Sequence, residues 1–315
     1  MRVLVTGANG FIGHFLAREL KKRNFWVRST SLSAEKYVSE NDDFVKGNLL
    51  DVELCNRITK DIDYVFHMAA NIGGIKFISE NESMIMHNNA IIDMNMIEAS
   101  VINGVKRFFY PSSACIYPFH VTDSFDPKPI KEEMAYPAMP EVGYGWEKIY
   151  MEQALFKYLK EDKMDIKIAR FFSTFGPEME FEGDNVKSLV ALCRKVAEAP
   201  NNSEIEIWGP GNQVRAFCYV EDVVDGIIKM MKSELHGPFN IGNKKPISIN
   251  NLAKMIIRIS GKNILIKNIN GTVGVKGRNC DTTRAETLLG WKMKTSLEEG
   301  VEKTYRWVEE QINGK

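Results

Sequence analysis

The sequence predicts an α/β fold in which a doubly wound parallel sheet is joined to a smaller, mixed C-terminal domain. Short β-rich runs alternate with helical stretches over the first 171 residues, an alternation typical of βαβ units on a parallel sheet. A glycine-rich segment separates the first run from the first helical stretch. Beyond Phe171 the alternation gives way to glycine- and proline-rich segments, which predicts a less regular second region.

The elements of the first region follow one another at short intervals, and each predicted strand is a short run rich in β-branched and aromatic residues. The predicted strands are Arg2–Thr6, Trp26–Thr30, Phe44–Lys46, Tyr64–His67, Arg107–Pro111 and Ile166–Phe171. The predicted helices include Phe11–Arg23, Met84–Asn103 and Tyr144–Lys160.

The second region contains short strands and helices between segments such as GPGN and HGPFNIGNKKP. The helix Val220–Met231 and the strand in PFNIG are expected to return to the first sheet. We therefore assign residues 1–171, with returning segments near 214–243, to a dinucleotide-binding domain. Residues 172–315 form mainly a second, substrate-binding domain.

Composition excludes several classes of protein. The chain has 315 residues, with 41 Lys and Arg against 41 Asp and Glu, so its formal net charge is zero. A neutral chain lacks the long-range field that attracts nucleic acids, so any anion site must be local. No uncharged stretch is longer than Phe108–Thr122, which is shorter than the roughly 20 apolar residues of a membrane span. With no signal-peptide pattern at the N-terminus, we expect a cytoplasmic protein that binds neither nucleic acid nor membrane.

The cysteines are odd in number and scattered, without a CxxC pair: Cys55, Cys115, Cys193, Cys218 and Cys280. This pattern predicts thiols rather than a disulfide framework. The histidines show no metal-ligand spacing, so no metal site is expected. His67, at an apolar strand end, is interpreted as a packed structural residue.

The first strand leads directly into Thr6-Gly7-Ala8-Asn9-Gly10-Phe11-Ile12-Gly13. Glycines at this spacing permit a tight turn, allow backbone N–H groups to approach a pyrophosphate, and let the helix pack closely on the strand. At the first strand-to-helix turn, the pattern predicts a Rossmann-type dinucleotide site. The acidic residue that usually follows the second strand is missing, because Trp26–Ser31 supplies hydroxyls and Arg28, which could attract a 2′-phosphate. The residues therefore leave NAD and NADP undecided.

Tyr144 and Lys148 form a YxxxK pair that lies on one face of a predicted helix. The pair follows a strand that ends in Ser113 and is followed by Cys115. The Lys148 charge is expected to lower the pKa of the Tyr144 phenol, so that a tyrosinate can take a proton from a sugar hydroxyl as hydride leaves to nicotinamide.

Together, GxxGxxG, His67-Met68-Ala69-Ala70, Ser113 and YxxxK resemble the extended short-chain dehydrogenase/reductase family, in its nucleotide-sugar branch. Further segments resemble the GDP-mannose 3,5-epimerases over nearly the whole chain. These segments are Asn71–Ile78, Ile85–Asn89, Asn95–Ala99, Lys106–Pro118, Lys187 with Cys193–Lys195, Trp208–Arg215 and Gly277–Asn279.

This resemblance implies an NAD-dependent isomerase that oxidises carbon 4 of a GDP-sugar, exchanges protons at one or both of carbons 3 and 5, and reduces carbon 4 again. It implies Cys115 as the base and Lys187 as the acid, beside Tyr144, Lys148 and Ser113. The implied cofactor-binding residues are Gly7, Gly10, Phe11, Ile12, Gly13, Ser31, Asn48, Leu49, Ala69, Tyr144 and Lys148. The implied substrate-binding residues are Gly73, Ser113, Ala114, Cys115, Ser173, Lys187, Lys195, Gln213, Arg215 and Arg278. The two helices Met84–Asn103 and Tyr144–Lys160 imply a homodimer.

The chain departs from the family pattern at Ser31 and Asn48, where the family has acidic residues, and at Ser173, where it has asparagine. The segment Phe119–Val142 also matches poorly. These departures leave the sugar, a hexose or a heptose, undecided. Three rival interpretations remain. The first is an NADPH-consuming epimerase/reductase of the GDP-fucose synthase type, a family that has a histidine in place of Lys187. The others are a simple 4-epimerase and a non-catalytic redox sensor that binds NAD(P).

Overall fold

The computed structural model describes residues 1–183, 186–271 and 274–314. Its strands are β1 Arg2–Thr6, β2 Trp26–Ser31, β3 Asp43–Lys46, β4 Tyr64–His67, β5 Arg107–Ser113, β6 Pro129–Ile130, β7 Asp165–Phe171, β8 Thr174–Phe175, β9 Ser203–Trp208, β10 Val214–Arg215, β11 Cys218–Tyr219, β12 Phe239–Ile241, β13 Ile247–Ser248, β14 Ile264–Ile269 and β15 Asn279–Cys280. Its α-helices are α1 Phe11–Lys22, α2 Val52–Thr59, α3 Ile75–Glu80, α4 Glu82–Ile102, α5 Phe119–Thr122, α6 Gly143–Lys160, α7 Ser188–Glu198, α8 Val220–Lys232, α9 Ile249–Ser260, α10 Thr283–Leu289 and α11 Leu297–Asn313.

The central sheet has seven parallel strands in the order β12-β7-β5-β4-β1-β2-β3. From β1 the chain moves outward to β2 and β3, and it then restarts at β4 on the other side of β1. The strand order therefore reverses between β1 and β4, where open α/β sheets form a ligand crevice at the carboxyl ends of their strands. The predicted doubly wound parallel sheet is confirmed.

Alternate residues of the strands face two separate cores. Val3 and Val5 of β1 pack with α1 and α8, whereas Leu4 packs with α2, α4 and α6 on the opposite face. Strand β12 pairs with β7 through Phe239 and Ala169. Both α8 and β12 thus belong structurally to the central sheet, although they follow part of the second region in sequence.

The second region has its own apolar core. Helices α7, α9 and α11 pack together beside the parallel pair β9 and β14. The buried residues of this core include Leu192, Ile205, Leu252, Ile256, Tyr305 and Val308. Within the described ranges, no helix combines the length and apolar character needed to cross a membrane.

A buried ion pair fastens α6 to the sheet. Arg170 of β7 donates from Nε and Nη2 to the two carboxylate oxygens of Glu152, at 2.9 and 2.6 Å. Its Nη1 also donates to the Glu132 carbonyl at 2.7 Å and to the Tyr117 hydroxyl at 3.3 Å. The guanidinium thereby fixes the helix that carries Tyr144 against two further segments.

Candidate active site

A cavity of about 880 Å³ lies at the carboxyl ends of the central strands and extends along the second region. Its walls contain every residue that the sequence analysis nominated for cofactor, substrate or catalysis. On the sheet side these are Gly7, Gly10, Phe11, Ile12, Gly13, Ser31, Asn48, Leu49, Ala69, Gly73, Ser113, Ala114, Cys115, Tyr144 and Lys148. On the side of the second region they are Ser173, Lys187, Lys195, Gln213, Arg215 and Arg278.

The glycine turn between β1 and α1 is closed too tightly for side chains. Gly7 has a φ of +62°, and a Cβ there would lie 2.8 Å from the Cα of Ala69. A Cβ at Gly13 would overlap the Gly7 carbonyl oxygen. Helix α1 begins after Gly10 without a side-chain cap, and Gly10, Phe11, Ile12 and Gly13 line the cavity. This cradle fits the pyrophosphate of a dinucleotide.

The end of the cavity next to β2 and β3 is lined by Ser31, Asn48 and Leu49, and none of these three residues carries a carboxylate. Arg28, which the sequence analysis considered for a 2′-phosphate, points elsewhere. Its Nε donates to Asp43 at 2.6 Å, and its Nη1 donates to the carbonyls of Ile58 and Lys60. That suggestion is wrong, because the guanidinium already has partners outside the cavity wall.

Ser113 and Cys115 lie at the end of β5, close to the start of α6. The Ser113 Oγ accepts the Cys115 N–H at 3.1 Å, which leaves the hydroxyl proton free to donate into the cavity. Gly145 permits the close approach of α6, because a Cβ there would overlap the Cys115 carbonyl oxygen. Arg278 Nη1 contacts the Cys115 sulfur at 3.5 Å, a contact that the sequence analysis did not foresee.

Tyr144 and Lys148 are both buried at the cavity wall. Burial raises the pKa of Tyr144 above its usual range, although the Lys148 ammonium opposes this shift. The expected lowering of the phenol pKa is therefore present as the contribution of Lys148 but is outweighed by burial. The pKa of Lys148 is raised despite its burial, because Asp93 and Glu147 face its ammonium.

A buried polar network lies behind Lys148. His67 Nε2 is 2.9 Å from Asp93 Oδ1, and His67 Nδ1 is 2.9 Å from Thr6 Oγ1. Tyr110 donates to Asp93 Oδ2 at 2.9 Å. His67 is indeed fully buried. Asp93, Tyr110 and Glu147 were not singled out from the sequence, because single polar residues in helices and strands carry no recognisable motif.

The opposite wall is cationic. Burial lowers the pKa of Lys187, which lies directly before α7 and close enough to Cys115 for their charges to interact. Burial and the neighbouring Arg278 lower the pKa of Arg215 to about 10. Among the described residues, neither Arg215 nor Arg278 has a carboxylate within 4 Å of its guanidinium. Gln213 Oε1 is buried at the same wall, and no residue that the structure describes forms a hydrogen bond with it.

The cavity is also lined by residues that were not predicted as site residues, among them Lys76, Glu141, Glu206 and Trp208. Lys76 and Trp208 stand inside segments that carried the resemblance, whereas Glu141 and Glu206 had no sequence signal. In the part of the chain that the structure describes, no cluster of three or more His, Cys, Asp or Glu residues could hold a metal ion.

The chain matches the NAD dependent epimerase/dehydratase family over residues 3–242. It is 38% identical to the GDP-mannose 3,5-epimerase of Arabidopsis thaliana over 315 residues, which cover 99% of this chain and 83% of that protein. It is 37% identical to GDP-mannose 3,5-epimerase 1 of Oryza sativa subsp. indica, with 99% and 82% coverage. The structure of UDP-glucose 4-epimerase from Thermotoga maritima, with UDP-glucose, superimposes with a TM-score of 0.89 at 27% identity, covering 99% of this chain and 100% of that one.

Proposed function

Because this chain belongs to the NAD dependent epimerase/dehydratase family, we propose that it is a nucleotide-sugar epimerase that converts GDP-mannose or a close GDP-sugar by inversion at carbon 5, at carbon 3, or at both. The observation that carries the proposal is the meeting of Tyr144, Cys115 and Lys187 around one cavity. A redox step at carbon 4 needs Tyr144, and a proton exchange at an adjacent carbon needs Cys115 and Lys187. All three side chains must therefore reach the same sugar.

The cofactor is NAD, which when bound accepts hydride from carbon 4 of the sugar and returns it. The turn of Gly7, Gly10 and Gly13 would hold its pyrophosphate, and Ser31 and Asn48 would line its adenosine. Ser31, Asn48 and Leu49 provide no carboxylate that would repel a 2′-phosphate, and Arg28 does not reach this end to attract one. We therefore propose that discrimination between NAD and NADP is weak.

Tyr144 is proposed to take the proton of the carbon 4 hydroxyl, with the Lys148 charge stabilising the tyrosinate. The pKa of the phenol is raised by burial, so the positive charge beside it is needed for this role. Ser113 has a free hydroxyl proton that can donate to the carbon 4 oxygen and hold the charge of an enolate.

Once carbon 4 is a ketone, the hydrogens on carbons 3 and 5 become acidic. Cys115 is proposed as the base that removes one of them, and Lys187 as the acid that returns a proton to the opposite face. Burial lowers the pKa of Lys187, which makes it a better proton donor at neutral pH. The contact of Arg278 with the Cys115 sulfur supplies a positive charge beside the base.

Substrate binding is assigned to the cationic wall. Lys195, Arg215 and Arg278 are proposed to hold the diphosphate and the sugar, with hydrogen bonds from Gln213. The absence of nearby carboxylate partners for both arginines within the described residues supports this role, since their charges are otherwise left unneutralised in a buried wall. This local cluster provides an anion site that the neutral chain as a whole does not.

The protein is further proposed to be a cytoplasmic homodimer. Helices α4 and α6 expose an apolar face with Met86, Trp146 and Tyr150, around a hollow of about 360 Å³. A second copy of this face would cover it. The unpaired state of all five cysteines supports a reducing compartment. Light scattering on the purified protein measures the mass, and a monomer at micromolar concentration contradicts the dimer.

The decisive experiment follows GDP-mannose in deuterated water without added reductant. The wild-type protein should give isomers of equal mass apart from solvent deuterium at carbon 5, and at carbon 3 if both centres invert. Tyr144→Phe should give neither product nor exchange. Cys115→Ala should block exchange at the α-carbons, and Lys187→Ala should allow at most exchange with retention.

Each rival interpretation predicts a different result. A requirement for stoichiometric NADPH would identify an epimerase/reductase, and inversion at carbon 4 without deuterium at carbons 3 or 5 would identify a 4-epimerase. A protein that binds the cofactor but converts no nucleotide sugar would be the redox sensor. Inversion with deuterium incorporation at wild-type rates in both the Cys115 and Lys187 variants would refute the assigned roles.

A further inference from the structure

Lys148 is held by a buried cluster that the steps above do not use. Its Nζ donates to the Tyr110 hydroxyl at 2.9 Å, and lies 3.4 Å from Asp93 Oδ2 and 3.6 Å from Glu147 Oε1. The side chains of Asp93, Glu147 and Lys148 are each only 1% exposed. Buried charges persist only when they are paired. The number of protons in this cluster therefore decides the charge that surrounds Lys148.

The hydrogen bonds around Asp93 are those of an ionised carboxylate. Thr6 Oγ1 accepts the Ala69 N–H, so its own proton is directed to His67 Nδ1 at 2.9 Å. His67 then carries its proton on Nε2 and donates it to Asp93 Oδ1. Tyr110 donates its single proton to Asp93 Oδ2. Asp93 thus receives donors on both oxygens.

Glu147, unlike Asp93, is expected to be protonated. Its Oε1 lies 3.4 Å from the Tyr110 oxygen, whose proton is directed to Asp93, and 3.6 Å from the same Lys148 ammonium that Asp93 faces. Two buried carboxylates that share one ammonium repel each other and leave a net negative charge. Glu147 must therefore carry the proton. One ionised carboxylate, one ammonium and one neutral carboxyl then sum to zero charge.

The pKa values of the two carboxyls shift in opposite directions, in agreement with a proton on Glu147 and none on Asp93. Burial raises the pKa of Glu147 to about 8, with Lys148 opposing and Asp93 reinforcing the shift. Burial would also raise the pKa of Asp93, but the Lys148 ammonium and the His67 hydrogen bond bring it to about 2.

The groups that face Glu147 come from three elements. They are Asp93 and Asn89 on α4, Tyr110 on β5, and Tyr144 and Lys148 on its own helix α6. On its outer side Glu147 meets the apolar hollow of α4 and α6, which contributes no charge.

We propose that Asp93 and Glu147 are positioning residues for the redox step: ionised Asp93 keeps Lys148 charged and in place behind Tyr144, and Glu147 must hold its proton for Tyr144 to act as the base. The role in the redox step depends on the proposed function. When Glu147 loses its proton, a negative charge faces both Lys148 and Tyr144. That charge stabilises the neutral phenol and slows proton removal from the carbon 4 hydroxyl.

The proton on Glu147 can be measured without turnover. Infrared difference spectra of the cofactor-loaded protein, recorded from about pH 6 to about pH 10, should lose a protonated-carboxyl band with a midpoint near pH 8. The near-isosteric Glu147→Gln variant should lack this band, and the exposed control Glu302→Gln should retain it. Asp93→Asn should move the midpoint to lower pH, because the neighbouring negative charge is gone. A wild-type protein without such a band overturns the assignment of the proton.

The pH profile of turnover then tests the positioning role. The wild-type rate should fall above about pH 8, whereas Glu147→Gln should be at least as active at about pH 9 as at about pH 7. Asp93→Asn should be slower by about 10-fold or more across the profile. An alkaline fall in Glu147→Gln identical to that of the wild type overturns the inference. If the infrared titration appears but no nucleotide sugar is converted, only the proposed function fails, since the protonated pair is established independently.

Discussion

Replacing Glu152 by glutamine would leave the Arg170 guanidinium buried without a counter-ion while nearly preserving the side-chain volume. Arg170 is 1% exposed and Glu152 is 0% exposed. Two of the four hydrogen bonds of the guanidinium go to the Glu152 carboxylate. Removing one partner of a buried ion pair typically costs about 3–5 kcal/mol. We therefore expect Glu152→Gln to lower the free energy of unfolding by about 3–5 kcal/mol.

Urea unfolding followed by tryptophan fluorescence and circular dichroism measures this loss. The matched control is Glu198→Gln, which breaks the surface pair with Arg194 at 2.9 Å, where both side chains are more than a third exposed. Such i, i+4 pairs contribute only about 0.3–0.5 kcal/mol, so the control should stay close to wild type. Equal losses in the two variants would show that burial does not set the cost.

A second arm separates charge from packing. Arg170→Met combined with Glu152→Leu removes both charges and keeps apolar volume at the site. Because an apolar pair avoids the desolvation of both ions, the double variant should be more stable than Glu152→Gln. The opposite order would mean that the bonds of Arg170 to Glu132 and Tyr117, which the double variant also removes, contribute more to stability than the ion pair costs in desolvation.

Three further predictions concern the cofactor site and pH. Gly13→Ala should weaken NAD binding measured by calorimetry by about 10-fold or more, because the new methyl group displaces the Gly7 carbonyl in the pyrophosphate turn; unchanged affinity would remove the turn from the binding site. Arg28→Leu should leave the ratio of NAD to NADP affinity unchanged, since the guanidinium is bound to Asp43, and a shift toward NAD would show that it reaches the 2′-phosphate. The wild type should lose stability as pH rises from about 4.5 to about 8, because native Glu147 holds a proton that the unfolded chain releases. Glu147→Gln should lack this pH-dependent loss, which is on the order of 5 kcal/mol in the wild type. Equal free energies of unfolding of the wild type at pH 5 and pH 8, measured in urea, would contradict the prediction.

Sequence reasoning was strongest where a local pattern has one structural solution. Gly7 and Gly13 could be placed in a tight turn between β1 and α1, and the structure shows that this turn excludes a Cβ at both positions. Ser113 and Cys115 could be placed because they end a strand whose neighbours were also recognised. Tyr144 could be paired with Lys148 because a spacing of four residues places both side chains on one face of a helix.

Contacts between distant segments could not be predicted in this way. Arg278 meets Cys115 across 163 positions, and nothing in the sequence selects it over another arginine. Asp93 and Glu147 resemble surface residues of amphipathic helices until the packing of α4 against α6 buries them. The net pKa of Tyr144 was misjudged for the same reason, since the sequence showed the charge beside the phenol but not the depth of its burial.

The pairing of β12 with β7 affects how the chain folds during its synthesis. Residues 172–238 must leave the ribosome before β12 can reach its place, so β7 presents unpaired backbone N–H and C=O groups throughout that interval. An open strand edge of this kind is a template for pairing with other nascent chains. Truncation before Phe239 would make the exposure permanent. Fragments ending there are expected to aggregate, and the first 171 residues alone are a poor choice for recombinant expression.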